Sequence, residues 1–151
     1  MRKQSSISEQ ISCQVAFHDV DLAQVVWHGH YLRYFENARW ALMRTLDFDL
    51  ATMMASGYLW PIVDLRVKYV RTANFQDQLN VRASLVEWQQ RMVINYLITN
   101  ELDGGRVARA QTTQVAVRAD NKELQLMLPP AFIDRVNALL LRQGAAAGAA
   151  T

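Results

Sequence analysis

The hydrophobic and polar positions of this 151-residue chain change period along its length. From Ser8 to Phe17, Ile11, Cys13, Val15 and Phe17 alternate with Ser12, Gln14 and Ala16, which is the two-residue period of a half-buried strand. From His30 to about Leu46 there is neither Gly nor Pro. Tyr31, Phe35, Ala38, Leu42 and Leu46 recur there three or four residues apart, with Tyr34 and Ala41 widening the stripe. That spacing predicts a helix of about four turns, with an apolar face broad enough to be largely enclosed.

After the turn-prone "ASGY" the two-residue period returns. Val63, Leu65, Val67 and Tyr69 alternate with Asp64, Arg66 and Lys68; Leu79, Val81, Ala83 and Leu85 alternate with Asn80, Arg82 and Ser84. Met92, Ile94, Tyr96 and Ile98 make the next run, and "DGG" at Asp103 to Gly105 is a hairpin signal leading into Arg106 to Arg118. "LPP" stops the sheet, and Ala131 to Leu141 is predicted as a C-terminal helix. The order of strand, long helix, four strands and short helix predicts an α+β fold, one helix against an antiparallel sheet joined by hairpins. One domain is expected over 1–143, with a low-complexity, disordered tail over 144–151.

Composition narrows the functional classes. With 51% hydrophobic and 20% charged residues, the chain has the make-up of a soluble globular protein and not of a disordered one. Its 16 basic and 14 acidic side chains nearly balance, and the basic ones are scattered, which argues against nucleic acid. No window approaches the ~18 apolar residues of a membrane span. "MRKQSSISEQ" has no apolar segment behind its two basic residues, so it is not read as a secretory signal, and a cytoplasmic address is the expectation. The single cysteine, Cys13, excludes an intrachain disulfide and reads as a small core residue.

The candidate chemistry lies in "DVDLAQVVWHGHYLRYFE", Asp19 to Glu36. Asp21 stands just past the first strand, beside the apolar "VVW". A carboxylate there suits a general base for water or a nucleophile on an acyl group; the plain alternative is an Asp in a surface turn. Asp19 reads as a maker of turn hydrogen bonds. His28 and His30 flank Gly29 just before the helix, and "HGH" alone is too weak a pattern for a metal site. The place does offer helix N-terminal amides without intrahelical partners, able to stabilise an oxyanion around Trp27, His28 and Gly29. Glu36 reads as a structural partner of Arg39. Lys68 and Arg71 read either as a solvated sheet face or as a cradle for a ligand phosphate. Trp27, Tyr31, Tyr34 and Trp60 read as core or as the lining of an acyl pocket.

Taken together, Phe17, Asp19, Asp21, Val25, Val26, Trp27, His28, Tyr31, Phe35, Glu36, Ala38 and Arg39 resemble the signature of the hotdog-fold thioesterases of the 4-hydroxybenzoyl-CoA thioesterase family. The resemblance implies a five-stranded antiparallel sheet wrapped around one long central helix. It implies hydrolysis of an acyl-CoA with no cofactor, Asp21 as the reacting carboxylate, His28 at the site and backbone amides polarising the thioester carbonyl. It implies a homodimer or homotetramer with sites at the subunit interface and coenzyme A held by basic surface groups, but matches none of them to a residue. From the residues themselves, Lys68 and Arg71 are the candidates and Tyr31 the expected substrate contact. An acyl carrier protein is the alternative carrier. Two departures stand out: Gln24 where many members have Gly, and His18 before the first acid. The alternatives are a hotdog dehydratase or hydratase, whose expected His-Phe-Pro is absent, and a non-catalytic acyl-binding module.

Overall fold

Helix α1 (Tyr31–Thr45) organises the fold, because its stripe of Tyr31, Tyr34, Phe35, Ala38, Leu42 and Leu46 is buried along its whole length. The computed structural model describes residues 7–149; the N-terminal stretch read against a secretory signal lies mostly outside them. In chain order the elements are β1 (Ser8–Gln14), α1, α2 (Leu50–Ala55), β2 (Tyr58–Leu59), β3 (Ile62–Tyr69), β4 (Gln78–Trp88), β5 (Met92–Asn100), β6 (Arg106–Gln114), β7 (Val117–Arg118) and α3 (Pro130–Ala149). The main sheet has the order β1-β4-β5-β6-β3, with every neighbouring pair antiparallel. It wraps α1, and the core forms where Leu79, Val81, Ala83, Leu85, Ile94, Tyr96 and Ile98 meet the helix stripe. This is the hotdog arrangement.

Several boundaries differ from the sequence pattern, each for a local reason. The first strand stops at Gln14, because Asp19 accepts the Ala16 N–H at 3.0 Å and turns Phe17–Asp19 into a single 3-10 turn. Phe17 is thereby 77% exposed instead of continuing the buried row. The run from Arg106 to Arg118 divides into β6 and β7, and β7 leaves the main sheet to pair with β2. Helix α2 is too short to show a period, though Asp49 caps it by accepting from the Thr52 N–H at 2.9 Å. Helix α3 runs past Leu141 to Ala149, with Pro at its first position and alanines favouring its continuation. Of the tail expected over 144–151, residues 150–151 lie outside the described residues.

One topological expectation is corrected. The segments β4, β5 and β6 are joined as hairpins, but β3 and β4 are not neighbours. Residues 70–77 carry the chain from beside β6 across to beside β1. On the way they run past the loop that follows β1: Val25 bridges to Asn74, and the Val26 N–H bonds the Ala73 carbonyl at 2.9 Å. This crossover brings the end of β3 to the start of α1.

Candidate active site

The loop between β1 and α1 is tightly closed on itself. Val20 pairs with Val26, the Asp21 N–H bonds the Val25 carbonyl at 3.0 Å, and the Gln24 N–H bonds the Asp21 carbonyl at 2.9 Å. Such a closure needs its last residue in the left-handed region, and Gln24 has φ 65°. An L side chain there costs on the order of 1 kcal/mol, a cost that Gly would avoid. Gln24 keeps the conformation without Gly's freedom.

Asp21 sits at the exposed tip of this turn. One of its carboxylate oxygens accepts the Ala23 N–H at 2.8 Å, and the other is without a hydrogen-bond partner among the described residues. The other acid has a different environment. Asp19 is 3% exposed, and its Oδ2 accepts both the Tyr34 hydroxyl at 2.8 Å and the Ala16 N–H. The Arg33 guanidinium lies 3.3 Å from Oδ1. Burial alone would raise the Asp19 pKa, but the Ala16 and Tyr34 hydrogen bonds with the Arg33 and His18 charges outweigh it and hold the group below the ordinary carboxylate range. Burial, reinforced by the bond to Asp19, pushes the Tyr34 hydroxyl far up, so it stays a donor. Asp19 therefore ties the loop to the helix, beyond the turn bonds expected of it.

The helix start is a continuous ramp. His28–His30 forms a 3-10 turn, and His30 already has helical φ and ψ where α1 begins. Of the three amides expected to meet an oxyanion, that of Trp27 is taken, because it bonds the Asp19 carbonyl at 3.0 Å where the loop closes. The His30 N–H bonds the Trp27 carbonyl at 2.9 Å, whereas the amides of His28 and Gly29 precede any carbonyl the turn could offer them. The Trp27 indole folds back over this turn, its centroid 4.8 Å from the His28 ring and 5.2 Å from the His30 ring. Gly29 permits this, since a Cβ there would lie 2.3 Å from the indole. His30 Nδ1 accepts from the Arg33 guanidinium at 2.7 Å.

Beside the turn a cleft of about 320 Å³ opens between Val26, His28, Tyr31, Tyr69, Val70 and Arg71. The Tyr31 and Tyr69 rings meet edge-on at 5.4 Å, and the Tyr69 hydroxyl donates to the His28 carbonyl at 2.7 Å. Tyr69 was legible only as one more apolar position of a strand. Among the expected site residues, His28, Tyr31 and Arg71 come together here, while Asp21 and Lys68 do not line the cleft. Lys68 projects from the opposite face of β3, across from Arg109. Arg71 is not a free cation: it grips Asp103 through two bonds of 3.0 and 2.7 Å, which raises the pKa of the guanidinium and lowers that of the carboxyl. Glu36 is likewise occupied, accepting from Arg39 at 2.5 Å and from the Trp40 indole at 3.0 Å. Burial, with help from the Asp19 and Glu101 charges, pushes the Cys13 thiol up to about 11.

Comparison with known proteins gives a consistent result. The sequence profile of the thioesterase-like superfamily matches residues 15–136. An acyl-CoA thioesterase of Haemophilus influenzae is 31% identical over 96 residues, covering 58% of this chain and 71% of that protein. A provisionally named esterase of Synechocystis sp. is 28% identical over 141 residues, covering 89% of this chain and 80% of that protein. Among solved structures, a DHNA-CoA thioesterase from Staphylococcus aureus superposes with a TM-score of 0.80 at 22% identity, over 92% of this chain and 95% of that one.

Proposed function

The chain belongs to the thioesterase-like superfamily, and on that premise we propose that it hydrolyses an acyl-CoA to the free acid and coenzyme A. Water adds to the thioester carbonyl, the carbon–sulfur bond breaks, and the proton lost by water ends on the departing thiol. Asp21 is the reacting carboxylate, acting on water as general base or on the carbonyl as nucleophile. The amides of His28 and Gly29 receive the developing oxyanion, since the Trp27 N–H is held by the Asp19 carbonyl, and Tyr31 lines the substrate cleft. The observation that carries this reading is one closed loop holding an unshared carboxylate oxygen at one end and, at the other, the His28 and Gly29 amides, which have no partner among the described residues.

A second copy of the chain completes the site. Asp21 is exposed and its neighbour Leu22 wholly so, so a single chain gives the acid none of the dry surroundings that thioester chemistry favours. The open edge of β3, with Leu65, Tyr69 and Val70 all exposed, is the surface that a homodimer would cover. Coenzyme A is the proposed carrier, a phosphate being met by Arg71 at the cleft; Lys68, on the opposite face of β3, is not placed to share it. The Arg71–Asp103 pair is exposed, and exposed pairs contribute little, so exchanging the carboxylate for a phosphate costs little.

Release of free thiol from acyl-CoAs of graded chain length, and from acylated carrier protein, tests the activity and the carrier together. Replacing Asp21→Asn should lower kcat by about two orders of magnitude or more with folding retained. Near-normal turnover in that variant, with loss in Asp19→Asn or Glu36→Gln instead, would overturn the assignment.

A further inference from the structure

The geometry points to Tyr69 as a positioning residue for the oxyanion turn, an inference that rests on the thioesterase reading above. Its hydroxyl donates to the His28 carbonyl at 2.7 Å. That carbonyl and the Gly29 N–H belong to the same peptide unit, which is planar and trans, so the two groups point in opposite directions. Fixing the carbonyl against β3 therefore fixes the direction in which the Gly29 amide aims. A hydrogen bond on the carbonyl oxygen also polarises the unit and makes its N–H a stronger donor, by something like 10–30% in condensed phase.

The surroundings make this a directed contact. The Tyr69 ring packs edge-on against Tyr31 at 5.4 Å, and Tyr31 in turn against Tyr34 at 6.0 Å. Tyr34 holds Asp19 at the other end of the loop through its own hydroxyl. The segment from Asp19 to His28 is thus clamped at both ends by tyrosine hydroxyls, one from α1 and one from β3. The two clamps differ in kind: the Tyr34–Asp19 bond is buried within the chain, whereas Tyr69 is 47% exposed on a single chain, at the edge that the proposed homodimer covers. The turn also retains its own His30 to Trp27 bond without Tyr69. The Tyr69 hydroxyl is therefore poised to matter for the direction of an amide more than for folding.

The test is Tyr69→Phe, which removes one oxygen and keeps the ring. We expect kcat for acyl-CoA hydrolysis to fall about 5- to 10-fold, less than the loss of a direct oxyanion donor because Tyr69 acts through the peptide. KM should stay within about twofold, the signature of an interaction made in the transition state, and the melting temperature within about 3 °C. An acyl-CoA analogue with a trifluoromethyl ketone in place of the thioester, which forms a tetrahedral oxyanion adduct, should bind the variant more weakly than the wild type, while a thioether analogue without a carbonyl should bind both equally. Unchanged kcat, or equal weakening of ketone and thioether, overturns the proposal, since a purely structural or wall-lining role would affect both analogues alike. The two readings fail separately: a wild-type protein that releases no thiol sinks both, whereas an active wild type with an equally active Tyr69→Phe sinks this one alone.

Discussion

Two acids two residues apart have opposite fates, and the cause is a single turn. On an unbroken strand Asp19 and Asp21 would share a face. The 3-10 turn at Phe17–Asp19 ends the strand, sends Asp19 beneath Tyr34 and leaves Asp21 at an exposed tip. Because the Asp19 carboxyl is held below its ordinary range, its contribution to stability is fully present above the unfolded value near 4 and is lost as pH falls through the lowered folded value. Asp19→Asn should therefore destabilise the protein at pH 7 by about 1–3 kcal/mol, leaving the Tyr34 hydroxyl and the Ala16 N–H with a weaker, uncharged acceptor. Denaturant unfolding should show the gap between variant and wild type narrowing below about pH 4. A gap constant from pH 7 to pH 3 would mean that the charge of Asp19 is not what stabilises. Sequence spacing singled out both acids, but it carried no signal for the Tyr34 bond, which depends on how the loop folds against the helix.

At the scale of elements, α1 was legible because a long apolar stripe with one period leaves little choice of structure. Its predicted span, His30 to about Leu46, agrees with Tyr31–Thr45 to within a residue at each end. The strand runs were legible too, but their lateral order was not: alternation identifies a strand and is silent about its neighbours. Hence the placing of β3 beside β6, and the crossover that brings Tyr69 to the His28 carbonyl, emerged only from the structure. The turn that opens α1 depends on Gly29, whose missing Cβ leaves room for the Trp27 indole. In Gly29→Ala the indole, 45% exposed, can swing away, so the stability loss should stay within about 1 kcal/mol. The displaced ring and tilted amides should nevertheless lower kcat/KM by about tenfold or more, as small misplacements at a reacting centre do. Steady-state kinetics paired with tryptophan fluorescence would check this, and an unmoved indole emission with full activity would contradict it.

For the whole molecule, the most informative feature is a strand that the chain leaves half finished. The row Leu65, Val67 and Tyr69 has the alternation of a core-facing strand, yet Leu65 is 42% and Tyr69 47% exposed, and β3 has a neighbour on one side only; Val63 drops out of the row at a bulge between Ile62 and Asp64. Alternation identified the strand, but the burial it implies is not met within this chain. Natural proteins seldom leave such an edge open, because its unpaired N–H and C=O groups and apolar row invite another strand. Pairing of β3 with β3 of a second copy, related by a twofold axis, would continue the sheet and cover the row on both subunits. The protein should therefore run as a homodimer or larger at micromolar concentration in light scattering or sedimentation. Leu65→Lys should shift it toward monomer by placing a charge in the shared row, with little effect on the monomer's own fold because Leu65 is already exposed there. If Asp21 takes its dry surroundings from the partner, thiol release should fall with dimer content and recover as protein concentration rises. A wild-type protein that is monomeric and fully active would overturn both the interface at β3 and the dependence of the site on it.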